Sequence, residues 1–503
     1  MTPLKLNMIA NFAGQGWSAL MAFVFVPLYI RFLGIEAYGL IGFYATLQGA
    51  FQILDFGLSQ TMNREMARYC VLPEKAAEAR DLARTLEIGY WSIGVVIGIG
   101  LWALSPVIAS HWIKPGALPL ETVQQSVMIM GVVTALRWPL SFYEGGLMGL
   151  QRQVLCNSIK IGLATLSGCG AALVLWKVSS TITAFFTWQI IVSALYAVLF
   201  PLSLWRSLPP SVHRPSFKPA LLRSIRRFAM GMSGISVSAI VFMQLDKVIL
   251  SRLLSLEMFG FYALAGVAAS AVPVMLAGPI FNALFPRFTS LAAMKEEEAL
   301  RRLYHQGSQL MAVLVFPVAS VLAFFSFDIL LLWTGSADTA RITSPIVSIL
   351  VVGMALNALM TLPYALQISH GWTRIGLFIT TFLIFFLVPT IYFLTTRYGV
   401  WGAALTWVVT NSTYMAIGLP LTHRRLLRGE AWPWLGRDVI PPLAAALLVV
   451  LPVWLFVSPP VHALDLLGFL LAVLLFACLA SACAASHTRA RLLTALRIRV
   501  PNV

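Results

Sequence analysis

Two matching stretches decide the fold: Arg31-Phe-Leu-Gly-Ile-Glu36-Ala-Tyr38-Gly39 and Arg252-Leu-Leu-Ser-Leu-Glu257-Met-Phe259-Gly260. Both follow the pattern Arg-x-Leu-x-x-Glu-x-aromatic-Gly, and they are 221 residues apart. Each stretch follows one long apolar run and precedes another. Charged residues that recur at a fixed offset indicate an internal repeat, so two related halves are predicted. Chance similarity between apolar runs is the alternative, but it does not readily account for the matching charges.

Composition places the chain in a membrane. Of its 503 residues 59% are hydrophobic and 11% charged, and the mean hydropathy is +0.84. A soluble domain carries about 25% charged residues, so lipid must cover much of this surface. About fourteen apolar runs have the ~20 residues that a membrane-spanning helix needs. We therefore predict an all-α polytopic membrane protein. The first run, at about 7–32, is too long for a cleavable signal peptide and is predicted to be the first span.

The distribution of basic residues predicts the topology. With the N-terminus in the cytoplasm, most of the 35 lysines and arginines lie on the cytoplasmic side, as the positive-inside rule requires. The other side receives only a few, which are Arg31, Lys114, Lys177, Arg252, Arg341 and Arg397. An odd number of spans would disturb this alternation. The predicted topology is N-in and C-in, and the net charge of +16 forms a rim for anionic lipid rather than a nucleic-acid surface.

The repeat and the topology together predict the domain organisation. The seventh span starts on the same side as the first only if six helices precede it, so the halves have six helices each and run in parallel. Two pseudo-symmetric six-helix lobes with substrate between them are typical of transporters. We predict five segments, which are an N-terminal lobe at 1–206, a basic linker with an interfacial helix at 207–227, a C-terminal lobe at 228–423, two additional transmembrane helices at 424–487, and a basic cytoplasmic tail at 488–503.

Covalent and metal chemistry find no support in the sequence. It contains no phosphate-binding loop, no His-Glu-x-x-His motif and no nucleophile constellation, so no catalytic residue, metal or cofactor is predicted. The five cysteines are scattered and are interpreted as free apolar residues, namely Cys70, Cys156, Cys169, Cys478 and Cys483. The connections predicted on the outer side are short, which argues against a membrane glycosyltransferase or polymerase with an extramembrane catalytic region.

Several local motifs resemble a known family. Asn11 and Gly14 precede Pro27-Leu-Tyr-Ile-Arg31 and the first repeat stretch, and Leu54-Asp55-Phe-Gly57-Leu and Asn63-Arg64-Glu65 follow it. Gln244-Leu-Asp246-Lys247 and Tyr398-Gly399-Val-Trp-Gly402 continue the likeness. Together these motifs, spread over about the first 420 residues, resemble polysaccharide flippases of the Wzx type, within the multidrug/oligosaccharidyl-lipid/polysaccharide exporter superfamily.

The resemblance implies a V-shaped pair of six-helix lobes around a central cavity. It also implies that the substrate is an undecaprenyl-diphosphate-linked oligosaccharide, moved from the cytoplasmic to the periplasmic leaflet by alternating access. Many members have twelve spans, and the extra pair here is similar to that of lipid II flippases.

Two cations within the predicted spans, Arg137 and Lys160, are candidates for binding the diphosphate, because buried charge is costly and is usually functional. Arg137 lies about 20 Å deep in the fourth span, at 1.5 Å per residue. Glu144, seven residues on, is its predicted partner on the same helix face and a candidate for ion coupling or gating, and a purely structural ion pair is the alternative. Lys160 lies nearer the inner surface, where it either snorkels or lines the inward-facing vestibule.

Further charges are candidates for ion coupling. Asp55, in the inner part of the second span, is predicted as a proton or sodium site or as a lock against a basic residue of the other lobe. Asp246 and Lys247 near the outer end of the seventh span are predicted to couple or gate, and Lys247 to contact the substrate. A helix-end ion pair between these two neighbours is the alternative, since adjacent residues point ~100° apart.

Polar and loop residues complete the candidate sites. Arg31 with Glu36 and Arg252 with Glu257 are predicted to pin the outer loops, and their symmetry also suits an outer gate. Asn11 and Gln52 are predicted to line the sugar path, with interhelical hydrogen bonding as the alternative.

The sequence therefore predicts a non-enzymatic flippase of the bacterial inner membrane. It would serve O-antigen, capsule or exopolysaccharide synthesis, with H⁺ or Na⁺ as a possible coupling ion and with polymerase and chain-length proteins as possible partners. A cation-coupled multidrug or metabolite exporter of the same superfamily is the alternative function.

Overall fold

A computed structural model of the chain describes residues 3–69, 73–211 and 213–490, and within those ranges the regular structure is entirely helical. This architecture is expected in lipid, where every backbone polar group must be satisfied within its own helix. The helices are α1 (Pro3–Leu33), α2 (Ile35–Phe51), α3 (Leu58–Tyr69), α4 (Ala76–Val107), α5 (Leu120–Arg137), α6 (Leu140–Gly149), α7 (Gln153–Lys177), α8 (Ile182–Ser207), α9 (Pro219–Leu253), α10 (Leu256–Ala269), α11 (Gly278–Met294), α12 (Glu297–Phe324), α13 (Ser326–Thr334), α14 (Ala337–Ser369), α15 (Thr373–Arg425), α16 (Ala431–Pro433), α17 (Ile440–Phe456) and α18 (Ala463–Ala484).

Eleven helical segments of the described chain are long and apolar enough to cross a membrane, which confirms the polytopic all-α class. Three places account for the difference from fourteen. The 17 residues of α2 are at the short limit of the ~17–25 that a span needs. Side chains 222–236 of α9 lie outside the described residues. The 53-residue α15 contains Gly399 at φ 60° and ψ −139°, so it is two helices joined at a sharp bend. Fourteen stays a prediction.

The chain divides into two compact units, residues 1–260 and 261–503. In the first unit, α9 packs against α2, α3 and α4. The repeat assigns α9 to the second half, but its contacts place it with the N-terminal unit. The predicted domain boundaries stay predictions.

The two repeat stretches meet through their glycines. A Cβ added at Gly39 would collide with the carbonyl oxygen of Leu256, and one added at Gly260 would collide with that of Ile35. Ile35 and Leu256 are themselves 221 residues apart. The contact between the start of α2 and the start of α10 is therefore reciprocal, as a local two-fold relation between repeats requires.

The last two helices are an integral part of the second unit. Helices α17 and α18 pack against each other and against α12. A buried apolar cluster joins Val321 and Phe325 to Val450, Leu466 and Leu470. The predicted additional pair thus shares a core with the helices before it.

Residues 73–84 are polar in sequence, as a solvated connector would be, but the structure packs them against the first unit. Only Pro73–Lys75 is a separate turn, and α4 then runs on without a break to Val107. Asp81 is 5% exposed, and it accepts hydrogen bonds from the backbone N–H and the hydroxyl of Ser216 at 2.7 and 3.1 Å. This connector is a packed extension of a span because Ala79, Leu82 and Ala83 bury one of its faces. Cys70 and residues 491–503 of the predicted tail lie outside the described residues.

Candidate functional site

The second predicted span is broken in its inner part. A 3₁₀ turn over Gln52–Asp55 leads into Phe56 at φ 47° and Gly57 at φ 71°, after which α3 begins. Positive φ is strained for phenylalanine and easy for glycine, so this helix break is a specific local feature. Asp55 accepts hydrogen bonds from the backbone N–H of Ser59 at 3.4 Å and from its hydroxyl at 2.8 Å. The carboxylate thereby caps the N-terminus of α3.

Two more hydroxyls hold Asp55. The phenol of Tyr90 on α4 donates a short hydrogen bond to Oδ1, and the hydroxyl of Ser141 on α6 lies 3.4 Å from the same oxygen. Three helices therefore converge on this carboxylate. The predicted coupling or locking role of Asp55 stays a prediction.

A second break lies opposite, between α5 and α6. Arg137 is the last residue of α5, and Trp138 and Pro139 separate it from α6. Proline lacks the N–H that would continue the helix, so the break at Pro139 has a direct cause.

Arg137 has only neutral hydrogen-bond acceptors. Its Nε donates to the hydroxyl of Ser193 at 2.9 Å and its Nη2 to Oε1 of Gln189 at 3.2 Å. Its guanidinium lies 5.2 Å from the centre of the Tyr196 ring. These three partners share one face of α8, at the i, i+4 and i+7 positions. Throughout the described residues no carboxylate forms an ion pair with Arg137, so its charge is fixed in place but not neutralised.

Glu144 is paired with Lys160 and not with Arg137, which corrects the predicted pair. The Lys160 Nζ lies 2.9 Å from Glu144 Oε2, and the two side chains are 30% and 24% exposed. The prediction assumed a continuous helix, on which residues seven apart share a face. The break at Pro139 removes that relation, and α7 brings Lys160 to Glu144 instead.

These residues surround a cavity of about 440 Å³ within the first unit. Four predicted site residues line it, namely Gln52, Asp55, Arg137 and Glu144. Further polar and aromatic lining comes from Gln48, Ser59, Gln60, Thr134, Trp138 and Ser141. Lys160 reaches the wall through its pair with Glu144. The cavity thus combines the unpaired cation of Arg137, the Asp55 carboxylate that caps α3, the Glu144–Lys160 ion pair and several uncharged polar groups.

Comparisons with known proteins identify the family of the chain. Residues 4–292 match the model of a family described as polysaccharide biosynthesis protein. The chain belongs to this family. A protein named as an O-antigen transporter of Shigella flexneri is 23% identical over 421 residues, which cover 80% of this chain and 94% of that protein. The family resemblance predicted from the sequence is confirmed, as is the expected multi-pass bacterial membrane protein.

Solved structures share the fold of this polysaccharide biosynthesis family member. The lipid II flippase MurJ in an inward closed conformation matches with a TM-score of 0.70 and 12% identity, covering 95% of this chain and 98% of that one. An inward-facing multidrug transporter of the MATE family matches with a TM-score of 0.68 and 14% identity, covering 82% and 94%. The proteins that this chain resembles are transporters and flippases, not enzymes.

The predicted residues outside the cavity fall into separate places. Asn11 on α1 accepts a hydrogen bond from Asn157 on α7 at 2.7 Å, which matches the alternative of interhelical hydrogen bonding. Asp246 is 1% exposed, and its Oδ1 lies 3.4 Å from Nζ of Lys247. That Nζ also donates to the carbonyl oxygen of Met243 at 2.8 Å. None of these residues lines the cavity beside Arg137.

The helix ends beside the first repeat stretch are tied together differently from the prediction. Glu36 accepts from the backbone N–H groups of Gly116, Ala117 and Leu118 at 2.6, 3.0 and 3.4 Å. Arg31 is exposed and has no ion-pair partner among the residues with described positions. Glu36 thus pins this loop without Arg31. Its carboxylate accepts hydrogen bonds from the three backbone N–H groups that the turn at 116–118 presents.

The second repeat stretch contacts the same loop by other groups. The guanidinium of Arg252 lies 5.5 Å from the centre of the Trp112 ring, and the Trp112 indole donates to Ser251 at 3.0 Å. The backbone N–H of Leu256 donates to the carbonyl of Lys114 at 2.9 Å. Arg252 therefore pins this loop through an aromatic ring rather than through Glu257.

Sequence reasoning missed Tyr90, Ser193 and Tyr196. The spacing of Gln189, Ser193 and Tyr196 on one face of an otherwise apolar helix is the signal that identifies the α8 contribution. Tyr90 carries no such signal, because its partner Asp55 lies in another span. Across the described ranges, no group of three or more His, Cys, Asp and Glu side chains is arranged to hold a metal ion, and the four described cysteines are free.

Proposed function

We propose that this protein flips an undecaprenyl-diphosphate-linked oligosaccharide from the cytoplasmic to the outer leaflet by alternating access, for the synthesis of a cell-surface polysaccharide. The proposal is based on Arg137. This cation lines a polar cavity, and the residues to which it donates hydrogen bonds are both neutral. A relative that aligns over most of the chain is named as an O-antigen transporter, which supports a lipid-linked oligosaccharide as the substrate.

The chemistry of Arg137 suits a diphosphate. A guanidinium presents its N–H groups in a planar fork that matches two phosphate oxygens, and it stays charged when desolvated. Ser193 and Gln189 occupy one N–H on each of Nε and Nη2, so N–H groups remain for a ligand. Because an unneutralised charge in a membrane protein is costly, an incoming anion gains the interaction that the protein itself does not provide.

The rest of the cavity suits sugars. Gln48, Gln52, Gln60 and Ser141 offer donors and acceptors for hydroxyl groups, and Trp138 offers an apolar ring face. The volume of about 440 Å³ lies within the ~300–1,000 Å³ of ligand pockets. We assign the diphosphate to Arg137 and the first sugar to the glutamine side of the cavity.

The coupling ion and the protein partners belong to this proposal. Asp55 is our candidate for an H⁺ or Na⁺ site. Four hydrogen-bond donors from three residues surround its carboxylate, and a bound proton or Na⁺ would take the place of one of them. Asp246, Arg31 and Arg252 are candidates for gating at the outer end. Polysaccharide polymerase and chain-length proteins are the partners we expect downstream.

A second candidate function is export of cationic drugs or metabolites. Asp55 and Glu144 in the cavity favour it, as does the fold shared with MATE transporters. The two functions predict opposite ligand charge, so one assay separates them.

The test is reconstitution into proteoliposomes with a fluorescent undecaprenyl-diphosphate oligosaccharide, read by quenching of the outer leaflet. Arg137→Gln should reduce the flipping rate at least tenfold, and Arg137→Lys should retain part of it. Arg152→Gln, at an exposed position at the start of α7, is the matched control. Flipping that is unchanged in Arg137→Gln, or competition by cationic dyes but not by inorganic pyrophosphate, would overturn the proposal.

A further inference from the structure

A second polar cluster lies in the 261–503 unit and plays no part in the proposed transport site. His305 on α12 contacts Asp438 through Nδ1 at 2.5 Å and Glu430 through Nε2 at 3.2 Å. With both carboxylates ionised, the ring must donate from both nitrogens, and only the imidazolium form can do so. Glu430 also pairs with Arg301 at 3.1 Å. The two carboxylates of this cluster are therefore matched by two cations.

This cluster is rigidly built. Asp438 is 1% exposed and also accepts from Nε2 of Gln309 at 2.9 Å. The same amide donates to Ser486 at 3.1 Å, and its oxygen accepts from the backbone N–H of His487 at 2.8 Å. The network joins α12 to the segment before α17 and to the chain after α18. These side chains are thus held by contacts within the protein itself.

Three arginines border the cluster without carboxylate partners. A cavity of about 300 Å³ is lined by Arg302 and Arg437 beside the His305 network, and a cavity of about 570 Å³ is lined by Arg287 and Arg302. Arg302 is common to both. Within the described part of the chain, none of these three arginines forms an ion pair. We call the two cavities with their three arginines the basic cleft.

We propose that the basic cleft binds the phosphate group of an anionic phospholipid from the surrounding membrane. Its excess positive charge selects an anion, and its arginines can each bind a phosphate in a bidentate manner. Arg302 lines both cavities, so a head group bound to it can also contact Arg437 or Arg287.

The position of the cleft favours a lipid over a soluble anion. Positive-inside topology predicts that these helix ends face the cytoplasm, where anionic lipids are attracted to basic pockets between helices. Trp432, next to Pro433 of the cavity wall, is 80% exposed, as is typical of aromatic residues at a membrane interface. The lipid would bridge α11 and α12 to the C-terminal pair and so hold this unit together.

The test is native mass spectrometry of the delipidated full chain, titrated with phosphatidylglycerol and, separately, with phosphatidylcholine. Wild type should retain phosphatidylglycerol preferentially. Arg302→Gln and Arg437→Gln should each weaken this retention about fivefold, the contribution of one basic residue near an anionic surface. Arg374→Gln and Arg428→Gln remove exposed arginines that do not line the cleft, and they should leave retention unchanged.

Two competitors distinguish the sources of the phosphate. Millimolar inorganic phosphate should not displace phosphatidylglycerol, and neither should geranyl diphosphate. Displacement by either, or equal losses in the cleft and control variants, would overturn the proposal. Arg137→Gln should retain phosphatidylglycerol as wild type does, so failure of the proposed transport site and failure of the basic cleft give different results.

Discussion

Gly39 and Gly260 pack against each other at equivalent positions of the two repeat stretches, each so close to the opposite backbone that a Cβ on either would collide with a carbonyl oxygen. The glycines let the starts of α2 and α10 approach within backbone contact. This relationship ties a pattern in the sequence to a specific junction in the first unit.

The first prediction concerns this junction. Gly260→Ala should lower stability by about 1–3 kcal/mol, the usual cost of overpacking, because the added methyl group meets the carbonyl of Ile35. Gly266→Ala on the same helix is the control, since nothing lies within 4 Å of its added Cβ. It should be neutral or stabilising, by up to about 1 kcal/mol. Thermal unfolding in detergent measures both, and equal midpoints would contradict the close contact.

The second prediction tests how Arg137 is held. Ser193→Ala removes the acceptor of its Nε and should raise the apparent KM for the lipid-linked oligosaccharide about three- to tenfold, since a hydrogen bond to a charged group contributes ~1 kcal/mol or more. The maximal rate should change less, because the guanidinium itself remains.

Thr187→Val is the matched control for Ser193→Ala. The Thr187 hydroxyl bonds only within α8, to the carbonyl of Thr183. If both variants raise KM equally, the effect belongs to the helix and not to the position of Arg137.

The third prediction concerns the Glu144–Lys160 pair. Lys160→Met should destabilise the first unit by about 1–3 kcal/mol, because it leaves a largely buried carboxylate without its cation, and partial exposure of both groups keeps the cost moderate. Adding Glu144→Gln to Lys160→Met should recover most of that loss. A double-mutant cycle in chemical unfolding supplies the coupling energy, and additive effects would show that the pair contributes nothing.

The fourth prediction uses the repeat as its own control. Glu36→Ala deprives the 116–118 turn of three hydrogen bonds, so amide exchange there should become about five- to thirtyfold faster, the change expected for 1–2 kcal/mol. Glu257→Ala, at the repeat-related position, changes an exposed side chain and should leave that exchange unaltered. Hydrogen exchange of the two variants decides whether Glu36 pins the loop.

Much of the fold was readable from the sequence because the membrane restricts it. Apolar runs must be helices in lipid, and their length and flanking charges identify them. The offset between Arg31 and Arg252 places Gly39 and Gly260 at equivalent positions of the two stretches, and these two glycines contact each other in the structure. Pro139 and Gly399 lie at helix breaks because proline cannot continue the helical hydrogen bonding and glycine accepts a positive φ.

The cavity was only partly predictable. Arg137, Asp55 and Gln52 were identified because polar groups in apolar helices are unusual. The pairing of Glu144 with Lys160 could not be predicted, because it depends on the break between α5 and α6 and on the position of α7. The turn at Phe56–Gly57 was missed for a similar reason, since one Phe-Gly dipeptide inside an apolar run gives no strong signal. The Asp438–His305 contact joins residues too far apart in sequence for any local pattern to indicate it.

The two helix breaks, at Phe56–Gly57 and at Trp138–Pro139, have a consequence for how such a protein can change its cargo. Gly57 and Trp138, one from each break, line the same cavity, and the Trp138 indole donates to the backbone carbonyl of Phe51 at 3.3 Å. The breaks are set by a turn with positive φ and by a proline, and not by the polar side chains around them. The glutamines and serines around it can then be exchanged to suit another sugar, while the scaffold that admits a polar head group into the bilayer persists.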